Sequence, residues 1–267
     1  MGLNINREYV LAGFKEYTEK YDITMLKIKL KVEHTYRVSL LCDRISESLG
    51  LSAEDTDLAW LIGMTHDIAR FEQVRIYDSF NDSETVDHAQ FGADLLFKEG
   101  LLDYFFEDKV LGVADFAGDV RIIETAIRNH NKFRIDSGLD DREEMFCNII
   151  RDADKIDIIK ANTDFPLWEI YNVTRQELEN APITKEVYEA FKAGQTVLRS
   201  LKKSPADNIV SHASFIFELV YPESRRILKQ LGYIEKFLDF KSSNPETCAI
   251  IDEMKLTAER VLEDEDL

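Results

Sequence analysis

Apolar residues along the chain recur at steps of three and four, and strict alternation is scarce, so the pattern predicts an all-α fold. Over residues 23–49, Leu30, His34, Val38, Leu41 and Ile45 fall on one helical face, and Gly50 follows as a stop. Ser52 then stands as an N-cap with Asp55 three residues on, opening a helix through "LAWLIGMTHD" in which Leu58, Ile62 and His66 share a face. A polar loop leads to a helix with His88 in its first turn, Phe91, Leu95 and Leu96 beyond it, and Gly100 as terminator. In "VRIIETAIRNHNKF" the apolar face is Ile123, Ile127 and His130, and "CNIIRDADKIDII" sets Ile150, Asp154 and Ile158 at steps of four.

What stands out is the polar residues these faces carry. A lone histidine on an apolar face is ordinarily a hydrogen-bonded core residue. Here four of the five histidines, together with Asp67 and Asp154, lie at the ends or inner faces of separate helices. Buried carboxylates need a compensating charge, which neutral imidazoles do not supply and a bound cation does. Imidazole and carboxylate without thiolate suit Fe, Mn, Zn, Co or Ni better than a closed structural zinc site. Two dications among these ligands leave a net positive centre that attracts a phosphate and acidifies water, which is the chemistry of hydrolysis.

Composition narrows the setting. The chain has 267 residues, 45% of them hydrophobic, enough for one large domain or two small ones. No apolar run approaches the ~20 residues of a membrane helix, and the start "MGLNINREYV" has neither a signal-peptide core nor a myristoylation match, so a cytoplasmic location is expected. Cys42, Cys147 and Cys248 form no close pair and read as reduced thiols. A net charge of −18 repels a nucleic-acid backbone, which leaves a small anion held by a local cationic cluster as the expected partner. All five prolines lie at or beyond Pro166, so the composition shifts near residue 163.

The order His34, then His66-Asp67, then Asp154 within "RDADKID" resembles the HD-domain superfamily of metal-dependent phosphohydrolases. The resemblance spans residues 34–154 and implies a helical bundle, and with the composition shift near residue 163 the expected division is a metal-binding core over residues 1–163 with 164–267 as a helical extension packed on it. The resemblance also implies that His34, His66, Asp67 and Asp154 bind one metal. His88 in "DHAQFG" and His130 in "AIRNHNK" match the extra histidines of two-metal members, in which the Asp67 position bridges the ions. No "GYP" follows, so the extension of cyclic-di-GMP phosphodiesterases is absent.

The expected activity is therefore cleavage of a phosphomonoester, phosphodiester or phosphoanhydride bond in a small nucleotide-like substrate by a metal-bridging hydroxide. A regulatory nucleotide-binding module is the alternative, and homo-oligomerisation is left open. Arg70, one turn after Asp67, is either a catalytic, substrate-binding guanidinium or a surface ion-pair partner. Lys155 is a further substrate-binding candidate. Asn129 and Asn131 either bind substrate or cap a helix end, Arg225 and Arg226 reach from the rear half or lie on a helix surface, and His212 reads as a core or surface residue.

Overall fold

Asn6 accepts a hydrogen bond from the Tyr9 amide and starts helix α1 (Arg7–Thr18) in the computed structural model, which describes residues 2–263. Helix α2 (Leu26–Ser48) begins later than residue 23 because the Asp22 carboxylate accepts from both the amide and hydroxyl of Thr24, holding that stretch in a turn. Its buried stripe runs Leu30, His34, Val38, Cys42 and Ile45. Leu41, expected on that face, is only half-buried beside Cys42. Gly50, at φ 68°, supplies the left-handed residue that ends the helix.

Ser52 Oγ accepts from the Asp55 amide at 3.1 Å and opens α3 (Ala53–Thr65), whose residues from Leu58 to Thr65 are all buried. This helix is central to its unit. A Cβ on Gly63 would lie 2.7 Å from Ser39 Cα and 3.0 Å from Ser39 N, so α2 and α3 touch backbone to backbone there. Gly63→Ala should therefore destabilise the fold by about 3 kcal/mol, the upper range for overpacking, as read by chemical denaturation.

Residues 66–68 join α3 to α4 (Ala69–Tyr77), which ends at left-handed Asp78. Asp87 caps α5 (His88–Ala93) by accepting from the Ala89 and Gln90 amides. The helix expected to continue to Gly100 instead passes into a π-turn at Asp94–Lys98. The wider turn rotates the apolar stripe, so Leu96 is buried while Phe91 and Leu95 are half-buried. Helix α6 (Ala117–Asn129) buries Ile122, Ile123, Ala126 and Ile127, and α7 (Asp141–Asp164) buries Ile150 and Asp154 but leaves Ile158 half-buried.

The chain divides within α7 into two compact units, one up to Asp154 and one from Lys155 onward. The first has Phe14, Leu61, Ile62, Phe71, Ile123, Phe146 and Ile150 in its core. The second continues through α8 (Leu167–Tyr171), α9 (Arg175–Asn180), α10 (Lys185–Lys192), α11 (Asp207–Ala213), α12 (Pro222–Leu231), α13 (Tyr233–Phe237) and α14 (Pro245–Glu263). In it, half-buried His212 lies against Tyr171, Phe215 and Phe237 and accepts from Asn162 Nδ2 at 3.0 Å. Arg225 donates to the Leu219 carbonyl, and Arg226 pairs with Glu223. Among the described residues there is no strand, and no helix is long and apolar enough to cross a membrane. The cysteines are free, Cys42 and Cys147 buried and Cys248 half-buried.

Candidate metal centre

Helix periodicity and helix ends bring six polar side chains of the first unit together. His34 projects from the inner stripe of α2, and Asp154 from that of α7. His66 is the C-cap of α3 and Asp67 follows it, His88 is the first residue of α5, and His130 is the C-cap of α6. None of the six exceeds 9% exposure.

Asp67 stands between two groups of candidate ligands. Its Oδ2 lies 3.4 Å from His34 Nε2 and 3.5 Å from His66 Nε2, and Asp154 Oδ1 lies 3.1 and 3.7 Å from the same two nitrogens. Its Oδ1 lies 3.3 Å from His88 Nε2 and 3.7 Å from His130 Nε2. Ligand atoms of His34, His66 and Asp154 fall within 4.8 Å of one another, as do those of His66, Asp67 and His130.

The tautomers follow from what each Nδ1 meets. His66 Nδ1 is 2.8 Å from the Gly63 carbonyl, and His130 Nδ1 is 2.7 Å from the Ile127 carbonyl. A carbonyl only accepts, so in both rings the proton is on Nδ1 and Nε2 carries the lone pair. His88 Nδ1 likewise donates to Asp82 Oδ2 at 2.7 Å. The lone pairs of His88 and His130 then face each other across 2.9 Å, and His66 Nε2 and Asp67 Oδ1 are buried with no hydrogen bond.

His66 and His88 resist taking up a second proton. Burial lowers the His66 imidazole, and burial followed by the Arg70 charge pushes His88 down to about 4. Burial alone would raise the Asp67 carboxyl, but Lys31 and then His66, His130 and His34 hold it well below the usual carboxylate range. Burial is similarly outweighed at Asp154, where His34 and His66 keep the carboxyl ionised. Converging lone pairs and carboxylates make a donor set that could hold a divalent cation, and nitrogen with oxygen and no sulfur fits a transition metal.

Two residues beyond the sequence motifs complete the centre. Lys31 Nζ donates to Asp67 Oδ2 at 2.6 Å, from one turn before His34 on the same face of α2. Asp82, in the loop between α4 and α5, fixes the ring of His88, as an outer carboxylate does for a metal-binding histidine. The ionised form of Asp82 survives burial because His88 donates to it and Arg70 lies beside it. Asp82 and Asp87 also gather near His88, but Asn131 Nδ2 donates to both, so they form a hydrogen-bonded support.

Arg70 is not a surface ion-pair residue, since its side chain is 12% exposed and its Nη1 donates to Gln73 Oε1, the Phe80 carbonyl and Asp82 Oδ1. Its Nε lies 3.6 Å from Asp67 Oδ1. Asn129 donates to the Thr125 carbonyl and accepts from the Asp136 amide, which closes the end of α6. Lys155 belongs to the second unit, where its ammonium is 3.0 Å from Glu218. A cavity of about 600 Å³ bounded by Tyr17, Tyr21, Phe91 and Tyr104 contains none of the gathered ligands.

A family model described as HD domain matches residues 32–213, more than half of the chain. The match includes all six gathered side chains and runs on into helices that carry no motif of their own. Neither a curated protein nor a solved structure gave a significant match.

Proposed function

The chain belongs to the HD-domain family of metal-dependent phosphohydrolases, and from that premise we propose that it holds two divalent transition-metal ions and cleaves a phosphate ester or anhydride of a small nucleotide-like substrate. The observation that carries this reading is the arrangement of lone pairs about Asp67: three histidines have their protons committed on Nδ1, so their Nε2 atoms are aimed at one another and at carboxylate oxygens.

In this reading His34, His66 and Asp154 would hold one ion, His88 and His130 would hold the other, and Asp67, whose two oxygens face the two groups, would serve both. When bound, such ions supply Lewis acidity toward phosphoryl oxygens and acidify water. The protein's own groups prepare the place where this happens. Gly63, Ile127 and Asp82 fix the imidazole tautomers, and Lys31 holds the Asp67 carboxylate ionised. Burial removes competing water and strengthens each charge interaction. The metal charge exceeds that of Asp67 and Asp154, which favours an anionic substrate despite the net −18 of the whole chain.

The test is phosphate release by Mn- or Fe-loaded protein across nucleoside phosphates, dinucleoside polyphosphates and cyclic dinucleotides. Metal-dependent release from part of the panel, lost on chelation, is expected. Tight nucleotide binding with no release would instead assign a regulatory module.

A further inference from the structure

We propose that Lys31 and Arg70 form a two-armed cradle for a terminal phosphate, which makes the substrate a phosphomonoester or the end of a phosphoanhydride and not a phosphodiester. This narrows the phosphohydrolase reading above and rests on it.

The two cations approach different oxygens of the Asp67 carboxylate. Lys31 meets Oδ2 at 2.6 Å, whereas Arg70 Nε faces Oδ1 at 3.6 Å. Both also flank the Phe80 ring, with Lys31 Nζ 5.3 Å and the Arg70 guanidinium carbon 5.5 Å from its centre.

Each cation has donors left over. An ammonium carries three N–H groups. Among the described residues Lys31 uses only the one directed at Asp67, although its side chain is just 9% exposed. In Arg70, Nη1 makes three hydrogen bonds that anchor the head group to Gln73 and to the loop containing Phe80 and Asp82. The opposite edge makes no hydrogen bond: Nε is buried with only the 3.6 Å ion-pair approach to Asp67 Oδ1, and Nη2 donates to nothing among the described residues. An Nε/Nη2 edge is the fork that takes two oxygens of one phosphate. Burying spare charged donors is costly, so a site that retains them is built for an acceptor that arrives with the ligand.

Counting oxygens then selects the ligand. A terminal phosphate offers three acceptor oxygens and close to two negative charges, so it can meet the metal ions and still give an oxygen to the cradle. A phosphodiester has one non-bridging oxygen fewer and a single charge, so once its oxygens face the metal ions Lys31 and Arg70 are left only with lone pairs on oxygens already shared with the ions, which makes the cradle weaker for it.

The experiment compares inorganic phosphate with dimethyl phosphate, binding each by calorimetry to the full-length Mn-loaded protein, its Lys31→Met variant and its Lys31→Arg variant, with metal content measured on every sample. The intact protein should bind inorganic phosphate about 10-fold or more tighter than dimethyl phosphate, through the extra charge-assisted hydrogen bonds. Lys31→Met should keep its metal and lose about 10- to 100-fold in affinity for inorganic phosphate, with a several-fold smaller loss for dimethyl phosphate, and Lys31→Arg should recover part of the loss. Unchanged phosphate affinity in Lys31→Met overturns the cradle, and so does loss of metal, which would make Lys31 a positioning residue for Asp67. Equal affinities for the two anions in the intact protein overturn it even if the methionine variant fails to fold. Cleavage confined to phosphodiesters would remove the cradle and keep the hydrolase, whereas the expected phosphate binding with no ester turned over would do the reverse.

Discussion

Asp67→Ala should purify as a folded chain without metal and with phosphate release reduced by about 10³-fold or more, because a single substitution removes the carboxylate that faces both ligand groups. The distances make this residue different from the rest: His34 and His66 approach its Oδ2, and His88 and His130 approach its Oδ1. Without that shared negative charge, two dications at the ~3.5–4 Å of a two-metal site repel each other with nothing between them. The variant also leaves the Lys31 ammonium buried without its acceptor, so the metal-free protein should lose about 3 kcal/mol of stability. Elemental analysis, phosphate release and denaturant unfolding of the same sample check the three parts together. Full metal content in Asp67→Ala would remove the bridging role.

His88→Ala and His130→Ala should separate the two ligand groups. Neither histidine is needed to assemble His34, His66 and Asp154 into a cation site. Each variant should keep one tightly held ion, bind the second about 10-fold or more weakly, and hydrolyse substrate poorly, because one ion can hold a phosphate but acidifies water less well than two. Removing either ring also relieves the 2.9 Å approach of the two Nε2 atoms, which offsets part of the lost packing and hydrogen bonding, so these variants should lose less stability in the metal-free state than Asp67→Ala does. Full metal content and full turnover in both would make the centre a one-ion site, with His88 and His130 as core or capping residues and simple nucleoside monophosphates as the preferred substrates.

The gathering of the candidate ligands was legible because helical periodicity decides which side chains share a face. His34 follows Leu30 by four residues, Asp154 follows Ile150 by four, and all four are buried. The helix ends were legible as well, since Ser52 caps α3 and Gly50 and Gly100 adopt the left-handed conformation that ends a helix. Residues at the margins of the stripes, Leu41, Leu95 and Ile158, came out half-buried, since a stripe's edges depend on neighbours that its own period does not contain.

Lys31 was hidden for a different reason. It lies on the His34 face three residues earlier, but a lysine ordinarily reads as solvated, and only the carboxylate of another helix makes its burial favourable. Asp82 lies in an aperiodic loop, so its contact with His88 exists only once α4, α5 and the loop are packed. The one-turn offset of Arg70 from Asp67 was readable, while its three anchors on Gln73, Phe80 and Asp82 were not. Among the described residues beyond Asp154 no group of candidate metal ligands gathers, so the motifs end there while the family match continues to residue 213.

Metal content tests the central claim most directly. Protein purified without chelator and analysed for all first-row transition metals should carry close to two ions per chain, and stripping them should lower the melting temperature, because an ion that binds only the folded state stabilises it. Finding no ion, together with no rise in melting temperature on adding Mn, Fe, Co or Ni, would contradict the reading of His34, His66, Asp67, His88, His130 and Asp154 as a metal centre.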